Sequence, residues 1–129
     1  MEDRKLVQLA LEAKKKAYSP YSGYQVGAAV VTEDGTVFTG CNIENIAYPS
    51  GICAERVALS KAISEGYRNI KALAVAGSTA EMAYPCGMCR QFVSEFANPE
   101  LTILCANKDG EFERYKFSEL LPNSFNAKF

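Results

Sequence analysis

The segment Leu101–Phe117, LTILCANKDGEFERYKF, decides how the sheet of this chain ends. Two strand-like runs, LTILCAN and EFERYKF, flank the turn residues Lys108, Asp109 and Gly110. A parallel crossover needs about a dozen residues or more, whereas an antiparallel pair can be joined by a tight turn. We therefore predict that the last two strands pair antiparallel.

Helices and strands alternate upstream of this hairpin. Apolar residues recur at three- and four-residue spacing from Leu6 to Ala17, which predicts an amphipathic helix that the stretch SPYSG ends. The apolar runs YQVGAAVV and TVFTGCN then flank Asp34-Gly35, a strong two-residue hairpin signal. The first part of the chain is thus predicted to be a helix followed by a β-hairpin.

The middle of the chain continues this alternation. The run CAERVALSKAISEG predicts a helix from Cys53 with Gly66 as its stop, and IKALAVAG predicts a buried strand. CGMCRQFVSEF predicts a further helix before the final hairpin. The pattern predicts an α/β layered domain around a mixed five-stranded sheet, and a length of 129 residues suits a single domain over 1–129.

Composition argues against two classes of partner. Lys and Arg total 14 against 15 Asp and Glu, so the basic footprint of a nucleic-acid binder is missing. No segment has the apolar length of a membrane span, and the N-terminal stretch lacks the apolar core of a signal peptide. We therefore expect a cytoplasmic protein with no nucleic-acid or membrane partner. In such a reducing compartment, cysteines are more often metal ligands, catalytic groups or core residues than disulfides.

Three of the five cysteines lie at predicted helix starts, and the chain has no histidine. Cys53 opens one helix, while Cys86 and Cys89 open the next. Helix N-termini stabilise thiolates, and Zn²⁺ favours tetrahedral sites with sulfur ligands. Three protein ligands leave a fourth position open, which is the catalytic rather than the structural arrangement. We predict one zinc ion per chain on these three cysteines.

Glu55 follows Cys53 by two residues, in the first turn of the same predicted helix. At that spacing its carboxylate leaves the helix on another side from the cysteine, so it can handle protons beside the metal without ligating it. A Cys-x-Glu stretch followed by Pro-Cys-x-x-Cys, here starting at Pro85, is a layout known from zinc deaminases. Glu55 is therefore the candidate catalytic residue.

Two other interpretations of the cysteines remain open from the residues alone. Cys-Gly-Met-Cys after a strand is also typical of a thioredoxin-like redox pair. A closed, non-catalytic Cys₄ structural zinc site would need Cys41 or Cys105 as its fourth ligand. Cys105 lies in the apolar run LTILCA and is better explained as a core residue, which leaves Cys41, at a strand end, as the stronger rival.

Over almost its whole length the chain resembles the zinc-dependent cytidine deaminases of the small, homotetrameric pyrimidine-salvage type. The resemblance rests on AYSPYSGYQVGAAV, GCNIENIAYPSGICAERVAL, PCGMCRQ and ELLPNSF, in that order. It implies a three-layer α/β/α domain that hydrolyses cytidine and deoxycytidine to uridine and deoxyuridine plus ammonia. It also implies zinc on Cys53, Cys86 and Cys89, with Glu55 as the proton shuttle.

The resemblance further implies a set of substrate contacts. Asn42 and Glu44 would bind the ribose, and the backbone around Ala54 would bind the pyrimidine. An aromatic ring at Tyr24 would pack on the nucleoside, and Phe125 would reach into the site of a neighbouring subunit. Tyr48 is implied as a further contact. Without the resemblance these residues have ordinary interpretations as turn formers, surface charges and core aromatics.

The chain departs from the family pattern at three positions. Tyr24 stands where the family commonly has Phe, Tyr84 stands where Ser is usual before the proline, and Met88 replaces a small residue between two ligands. None of these changes touches the implied ligand set.

The final hairpin bears on the substrate. Relatives that edit bases in RNA or DNA usually insert a helix between the last two strands, which makes the last strand parallel. The tight link predicted here and the missing basic patch both favour a free nucleoside. Blasticidin-type aminonucleoside deaminases share the zinc core and are the closest enzymatic alternative.

Three thiolates around Zn²⁺ leave a net charge of −1, which opposes the formation of hydroxide. A nearby cation would offset this charge, and Arg56 immediately follows Glu55. We predict that Arg56 donates hydrogen bonds to a zinc thiolate, with Gln91 as a weaker helper. The ordinary alternative for Arg56 is a surface residue.

Overall fold

One mixed sheet organises the chain in the computed structural model, which describes residues 1–127. Its five strands lie in the order β2-β1-β3-β4-β5. β3 and β4 are parallel, and the other neighbouring pairs are antiparallel. The strands are β1 (Val26–Thr32), β2 (Val37–Cys41), β3 (Ile70–Gly77), β4 (Thr102–Ala106) and β5 (Phe112–Lys116).

The predicted antiparallel hairpin at the end of the sheet is confirmed. Ala106 of β4 faces Phe112 of β5 in an antiparallel register. The buried side chain of Asn107 closes the turn, because its Oδ1 accepts hydrogen bonds from the backbone N–H groups of Asp109 and Glu111. Gly110 adopts a φ of 83°, a backbone conformation that favours glycine. Local turn chemistry therefore specifies this connection.

Helices cover both faces of the sheet, which gives the three-layer arrangement expected from the sequence. The helices are α1 (Asp3–Lys14), α2 (Ala54–Ser64), α3 (Gly87–Ser94) and a short α4 (Phe117–Leu120), and a 3₁₀ turn spans Tyr48–Ser50. α1 buries Leu6 and Val7 against one face, while α2, α3 and α4 pack on the other. No helix among residues 1–127 is long and apolar enough to cross a membrane.

Tertiary contacts shift several predicted helix ends. The spacing of apolar residues predicts α1 as far as Ala17, but the helix ends at Lys14. Beyond it, the N–H of Tyr18 donates to the carbonyl of Asn42 at 3.0 Å, and Tyr18 forms a bridge with Ile43. α3 likewise ends at Ser94 rather than at residue 96, and α4 was not predicted.

Gly40 in β2 permits a close approach between the sheet and α2. A Cβ atom at this position would lie 2.6 Å from the backbone nitrogen of Ala58 and 2.8 Å from the carbonyl oxygen of Ala54. Real Cβ atoms essentially never come this close to backbone atoms. Glycine at this position therefore lets the first turn of α2 rest directly on the sheet.

Candidate active site

The N-terminal ends of α2 and α3 meet on one side of the sheet. Cys53 caps α2 and Cys86 caps α3, both with extended backbone, and Cys89 lies one turn into α3. The three sulfur atoms lie within 4.8 Å of one another, and those of Cys53 and Cys86 are 4.0 Å apart. The predicted meeting of these three cysteines is confirmed.

The segment before Cys86 is held in place by its neighbours. The N–H of Ala83 donates to the carbonyl of Ala106 at the end of β4, over 3.0 Å. Nε of Arg90, one turn further along α3, donates to the carbonyl of Pro85 at 2.7 Å. These two bonds tie the start of α3 to the sheet, so the ligand-bearing turn has a defined position.

The sulfur cluster suits a tetrahedral zinc ion. Zn–S bonds of about 2.3 Å in a tetrahedron place the sulfurs about 3.8 Å apart, close to the observed spacing. Neither remaining cysteine joins the cluster in the part of the chain that the structure describes. The thiol of Cys41 donates to the carbonyl of Lys16 at 3.4 Å, and Cys105 is buried within β4. The geometry therefore supports an open three-ligand site rather than a closed Cys₄ site.

The charge state of the thiols also favours a cation. Hydrogen bonding from Cys89, aided by Cys86 and Arg56, lowers the pKa of Cys53 to about 5. The Cys53 thiolate and burial in turn raise the pKa of Cys89. Cys53 is thus readily ionised, and its charge opposes ionisation of Cys89. Full ionisation of the three ligands needs a nearby positive charge, which a bound metal ion provides.

Arg56 lies beside this cluster on the wall of a surface cleft. Burial lowers the pKa of its guanidinium, but the neighbouring sulfurs of Cys53 and Cys89 outweigh that effect and raise it. Its Nε–H is buried and has no acceptor at hydrogen-bond geometry among residues 1–127. Because buried donors are normally paired, this group is available to the thiolates of a loaded metal site.

Glu55 is buried at the same place, with only 4% of its surface exposed. Burial raises the pKa of this carboxyl to about 7, and the charge of Cys53 acts in the same direction. A buried carboxyl beside a cleft, with a pKa near neutrality, is suited to accept and return protons. The structure thus places Glu55 next to the clustered cysteines without making it a member of the cluster.

The cleft has a volume of about 590 Å³ and joins the cysteine cluster to the predicted sugar-binding residues. Cys53, Cys86 and Arg56 line one part of it, and Asn42 and Glu44 line another. Exposed apolar side chains form its rim, namely Tyr21, Tyr48, Ile43 and Met88. The cleft therefore offers polar groups and apolar surface in one space.

Asn42 and Glu44 each have a structural partner that the sequence did not reveal. The amide of Asn42 donates to the carbonyl of Tyr24 at 2.9 Å and accepts from the N–H of Val26 at 2.9 Å. Glu44 accepts hydrogen bonds from the N–H groups of Tyr21 and Ser22 at 3.0 and 3.1 Å. These bonds fix both side chains at the cleft wall.

Both side chains keep hydrogen-bonding capacity for a ligand. The Ser22 hydroxyl donates to the second carboxylate oxygen of Glu44, and it is the main reason that the pKa of this carboxyl is lowered. Glu44 is therefore ionised at neutral pH and retains an unused lone pair. The amide of Asn42 likewise keeps one free N–H and one free lone pair.

Three predicted substrate residues do not line the cleft of the single chain, namely Tyr24, Ala54 and Phe125. The Tyr24 hydroxyl lies against Gly77 at the end of β3, where an added Cβ would come within 2.2 Å of it. Ala54 is fully buried at the first position of α2. By contrast, the exposed Tyr48 lines the cleft, and its ring meets that of Tyr21 edge to face at 5.8 Å.

The structure contradicts the predicted role of Gln91 as a hydrogen-bond donor to a zinc thiolate. Its Nε2 donates to the carbonyl of Phe125 at 2.9 Å and to the hydroxyl of Ser94 at 3.2 Å. Its Oε1 accepts from the N–H of Phe125 at 3.1 Å. Both amide hydrogens are thus used away from the sulfurs. Phe125 itself does not line the cleft of its own chain.

Sequence reasoning missed Tyr21 and Ser22 as parts of the site. The stretch SPYSG was interpreted as the end of the first helix and as part of the family resemblance, but neither residue was given a role in the site. Their backbone N–H groups hold Glu44, and both residues line the cleft. The signal was weak because the partners are more than twenty positions apart in the sequence.

Comparison with known proteins agrees with this geometry. Residues 1–105 match the model of the cytidine and deoxycytidylate deaminase zinc-binding region. The chain is 45% identical to a cytidine deaminase of Sporosarcina psychrophila over 99% of this chain and 94% of that protein. It is 40% identical to a probable cytidine deaminase of Dictyostelium discoideum over 98% of this chain and 86% of the relative.

Solved structures give the same result. The crystal structure of cytidine deaminase from Burkholderia pseudomallei matches with a TM-score of 0.92 at 44% identity, covering 97% of this chain and 100% of that one. The cytidine deaminase from Mycobacterium tuberculosis matches with a TM-score of 0.86 at 34% identity, covering 98% and 99% of the two chains. Sequence match, fold and sulfur cluster agree, and the chain belongs to the cytidine and deoxycytidylate deaminase zinc-binding family.

Proposed function

We propose that the protein hydrolyses cytidine and deoxycytidine to uridine and deoxyuridine with release of ammonia, using one zinc ion per chain. The observation that carries the proposal is the position of buried Glu55 beside three clustered cysteines. These groups adjoin a cleft whose other wall bears Asn42 and Glu44. The relatives named cytidine deaminase favour this substrate over a blasticidin-type aminonucleoside.

Cys53, Cys86 and Cys89 would hold the zinc ion, which when bound activates water for attack at neutral pH. Glu55 accepts a proton from the attacking water and delivers it to N3 of the cytosine ring, while the water oxygen bonds to C4. The same carboxylate then takes the proton of the new C4 hydroxyl and carries it to the amino group, so that the C4–N bond breaks, ammonia leaves and a C4 carbonyl forms. One carboxylate can serve both steps because each proton crosses the same short gap.

Arg56 offsets the negative charge of the three thiolates in this proposal. Two observations support that role: its buried Nε–H has no hydrogen-bond partner in the described part of the chain, and the group lies beside two of the sulfurs. Asn42 and Glu44 bind the sugar through the hydrogen-bonding capacity that their structural bonds leave free. No residue is assigned to the ribose 2′-hydroxyl, so deoxycytidine is a substrate as well.

We further propose a homotetramer whose active sites are shared between subunits. The rim of the cleft continues into exposed apolar side chains, including Ile46 at 79% and Tyr48 at 73% exposure. Apolar surface of this kind around a cleft is typical of a protein interface. Phe125 is 69% exposed and lies outside the cleft of its own chain, as expected of a ring that serves a neighbouring site.

The decisive experiment is metal analysis of the purified protein together with an ammonia-release assay. One zinc per chain and ammonia from cytidine and deoxycytidine are expected. Release of ammonia from blasticidin S but not from cytidine would favour the aminonucleoside alternative. Bound zinc without ammonia from any of these substrates would favour a structural metal site.

A further inference from the structure

The C-terminal tail, residues 121–127, is attached to the helix that carries two of the metal ligands. Nη1 of Arg90 donates to the carbonyl of Leu120, just before the tail, at 2.7 Å. The side chain of Gln91 is bonded to both the N–H and the carbonyl of Phe125. Two adjacent residues of α3 thus hold the tail at two points five residues apart. The tail has no helix or strand of its own to fix its course.

The bond pattern at Phe125 requires a primary amide. The backbone of Phe125 presents an N–H donor and a carbonyl acceptor. The Gln91 amide is complementary, because its Oε1 accepts from that N–H and its Nε2 donates to that carbonyl. Ser94 further orients this amide. Its hydroxyl accepts from Nε2 of Gln91 and donates to the backbone carbonyl of Gln91 at 2.6 Å. A carboxylate could not donate to the Phe125 carbonyl, and an apolar side chain could make neither bond.

The same bonds fix the backbone position from which the aromatic ring projects. Gln91 holds the backbone of Phe125, while the ring remains largely exposed. We propose that Gln91 is a positioning residue that presents the Phe125 ring to the active site of a neighbouring subunit. This inference rests on the proposed function and on the shared-site assembly. Gln91 therefore acts on an active site whose cysteines belong to a neighbouring subunit.

The first test measures kinetics and metal content of Gln91→Met and Gln91→Glu. Loss of a pre-positioned aromatic contact should raise KM for cytidine by about 3- to 10-fold, the equivalent of about one net hydrogen bond. kcat and zinc content should stay near those of the unmodified protein, because substrate packing contributes to ground and transition states alike. A loss of zinc that parallels the loss of activity would overturn the proposal, since Gln91 would then act on the metal site.

Mixed tetramers separate an effect on the neighbour from an effect within one chain. In the first mixture, a Gln91→Met chain is assembled with an excess of Glu55→Gln chains. The Gln91→Met chain keeps its own working catalytic groups, and its site receives Phe125 from a partner whose Gln91 is intact. Its KM should return toward the unmodified value. An unmodified chain mixed with an excess of the Glu55→Gln, Gln91→Met double variant should show the raised KM instead. Equal KM values in the two mixtures would overturn the proposal.

A third measurement does not depend on catalysis. The chain contains no tryptophan, so Phe125→Trp introduces a single tryptophan at the ring in question, which can be excited selectively over the tyrosines. Adding Gln91→Met should lower its fluorescence anisotropy, whereas Gln8→Met on the exposed side of α1 should not. Unchanged anisotropy would refute the positioning role even if the unmodified protein deaminates cytidine. Absence of ammonia with a normal anisotropy response would instead count against the proposed function.

Discussion

Gly40 of β2 and Ala54 of α2 lie in direct backbone contact, at a distance that leaves no room for a side chain between them. Ala54 stands between Cys53, the proposed metal ligand, and the buried Glu55. The close packing of α2 on the sheet therefore fixes the position of the turn that carries Cys53 and Glu55. Backbone atoms cannot rotate away as a flexible side chain can, so a side chain added at Gly40 would have to push α2 away from the sheet.

Gly40→Ala should displace the first turn of α2. The added methyl group would lie within 3 Å of two backbone atoms, and overpacking of this kind costs about 1–3 kcal/mol. We expect a lower Tm, weaker zinc retention and reduced kcat. Gly87→Ala is the matched control, because nothing lies within 4 Å of the added atom and alanine favours helix over glycine. Equal zinc affinity in the two variants would contradict this account.

The open three-ligand site predicts which cysteines hold the metal. Replacing Cys53, Cys86 or Cys89 with serine should abolish stoichiometric zinc binding. Cys41→Ala and Cys105→Ala should keep one zinc per chain, although the second leaves a small cavity in β4. Metal analysis of purified variants is the measurement. Complete loss of zinc in Cys41→Ala would restore the closed Cys₄ interpretation.

Glu55→Gln should separate proton transfer from metal binding. The amide matches the carboxyl in shape and fills the same buried space, so zinc and fold should be retained. Turnover should fall by at least the ~10²–10⁴-fold typical of lost general acid–base catalysis. Glu65→Gln, at the exposed C-terminal end of the same helix, is the control and should have normal turnover. Near-normal activity of Glu55→Gln would remove this carboxylate from the mechanism.

Arg56→Gln should weaken zinc retention or catalysis without unfolding the chain. The variant loses the charge that faces the sulfurs and a buried donor that has no hydrogen-bond partner among residues 1–127. Zinc affinity by chelator competition, kcat and Tm are the measurements, and Arg4→Gln on the exposed part of α1 serves as control. If zinc affinity and rate both match those of the control, Arg56 is an ordinary surface residue.

Features encoded within a few residues of one another were predictable from the sequence. The final hairpin follows from the turn after Asn107, and the sulfur cluster follows from cysteines at two helix starts. The features that were missed depend on distant contacts. α1 ends early where Tyr18 meets Asn42, and Gln91 turns toward Phe125 34 positions away. Spacing within a helix could not reveal these partners.

Glu44 gives the last prediction, because its structural and ligand-binding roles can be separated. The turn at Tyr21 and Ser22 holds the carboxylate at the cleft wall, and the Ser22 hydroxyl helps to keep it ionised. Ser22→Ala removes that hydroxyl, which also accepts from the N–H of Tyr24 at 3.0 Å, but it leaves the carboxylate and the two backbone N–H groups that donate to it. We therefore expect Ser22→Ala to retain sugar recognition and Glu44→Gln to lose it.

Recognition of the ribose 3′-hydroxyl by Asn42 and Glu44 should exclude two analogues. Free cytosine leaves the carboxylate without its partner, and sites built around a hydroxyl can reject such analogues by about 10⁴–10⁵-fold. Cytidine 3′-monophosphate brings a second negative charge against Glu44, at a cost of several kcal/mol, which would also exclude internal cytidines of RNA and DNA. Deoxycytidine should still react. The measurement is kcat/KM for cytidine, deoxycytidine, cytosine and cytidine 3′-monophosphate, repeated with Glu44→Gln. Efficient turnover of cytosine or of the 3′-phosphate by the unmodified protein would show that these two residues do not bind the sugar.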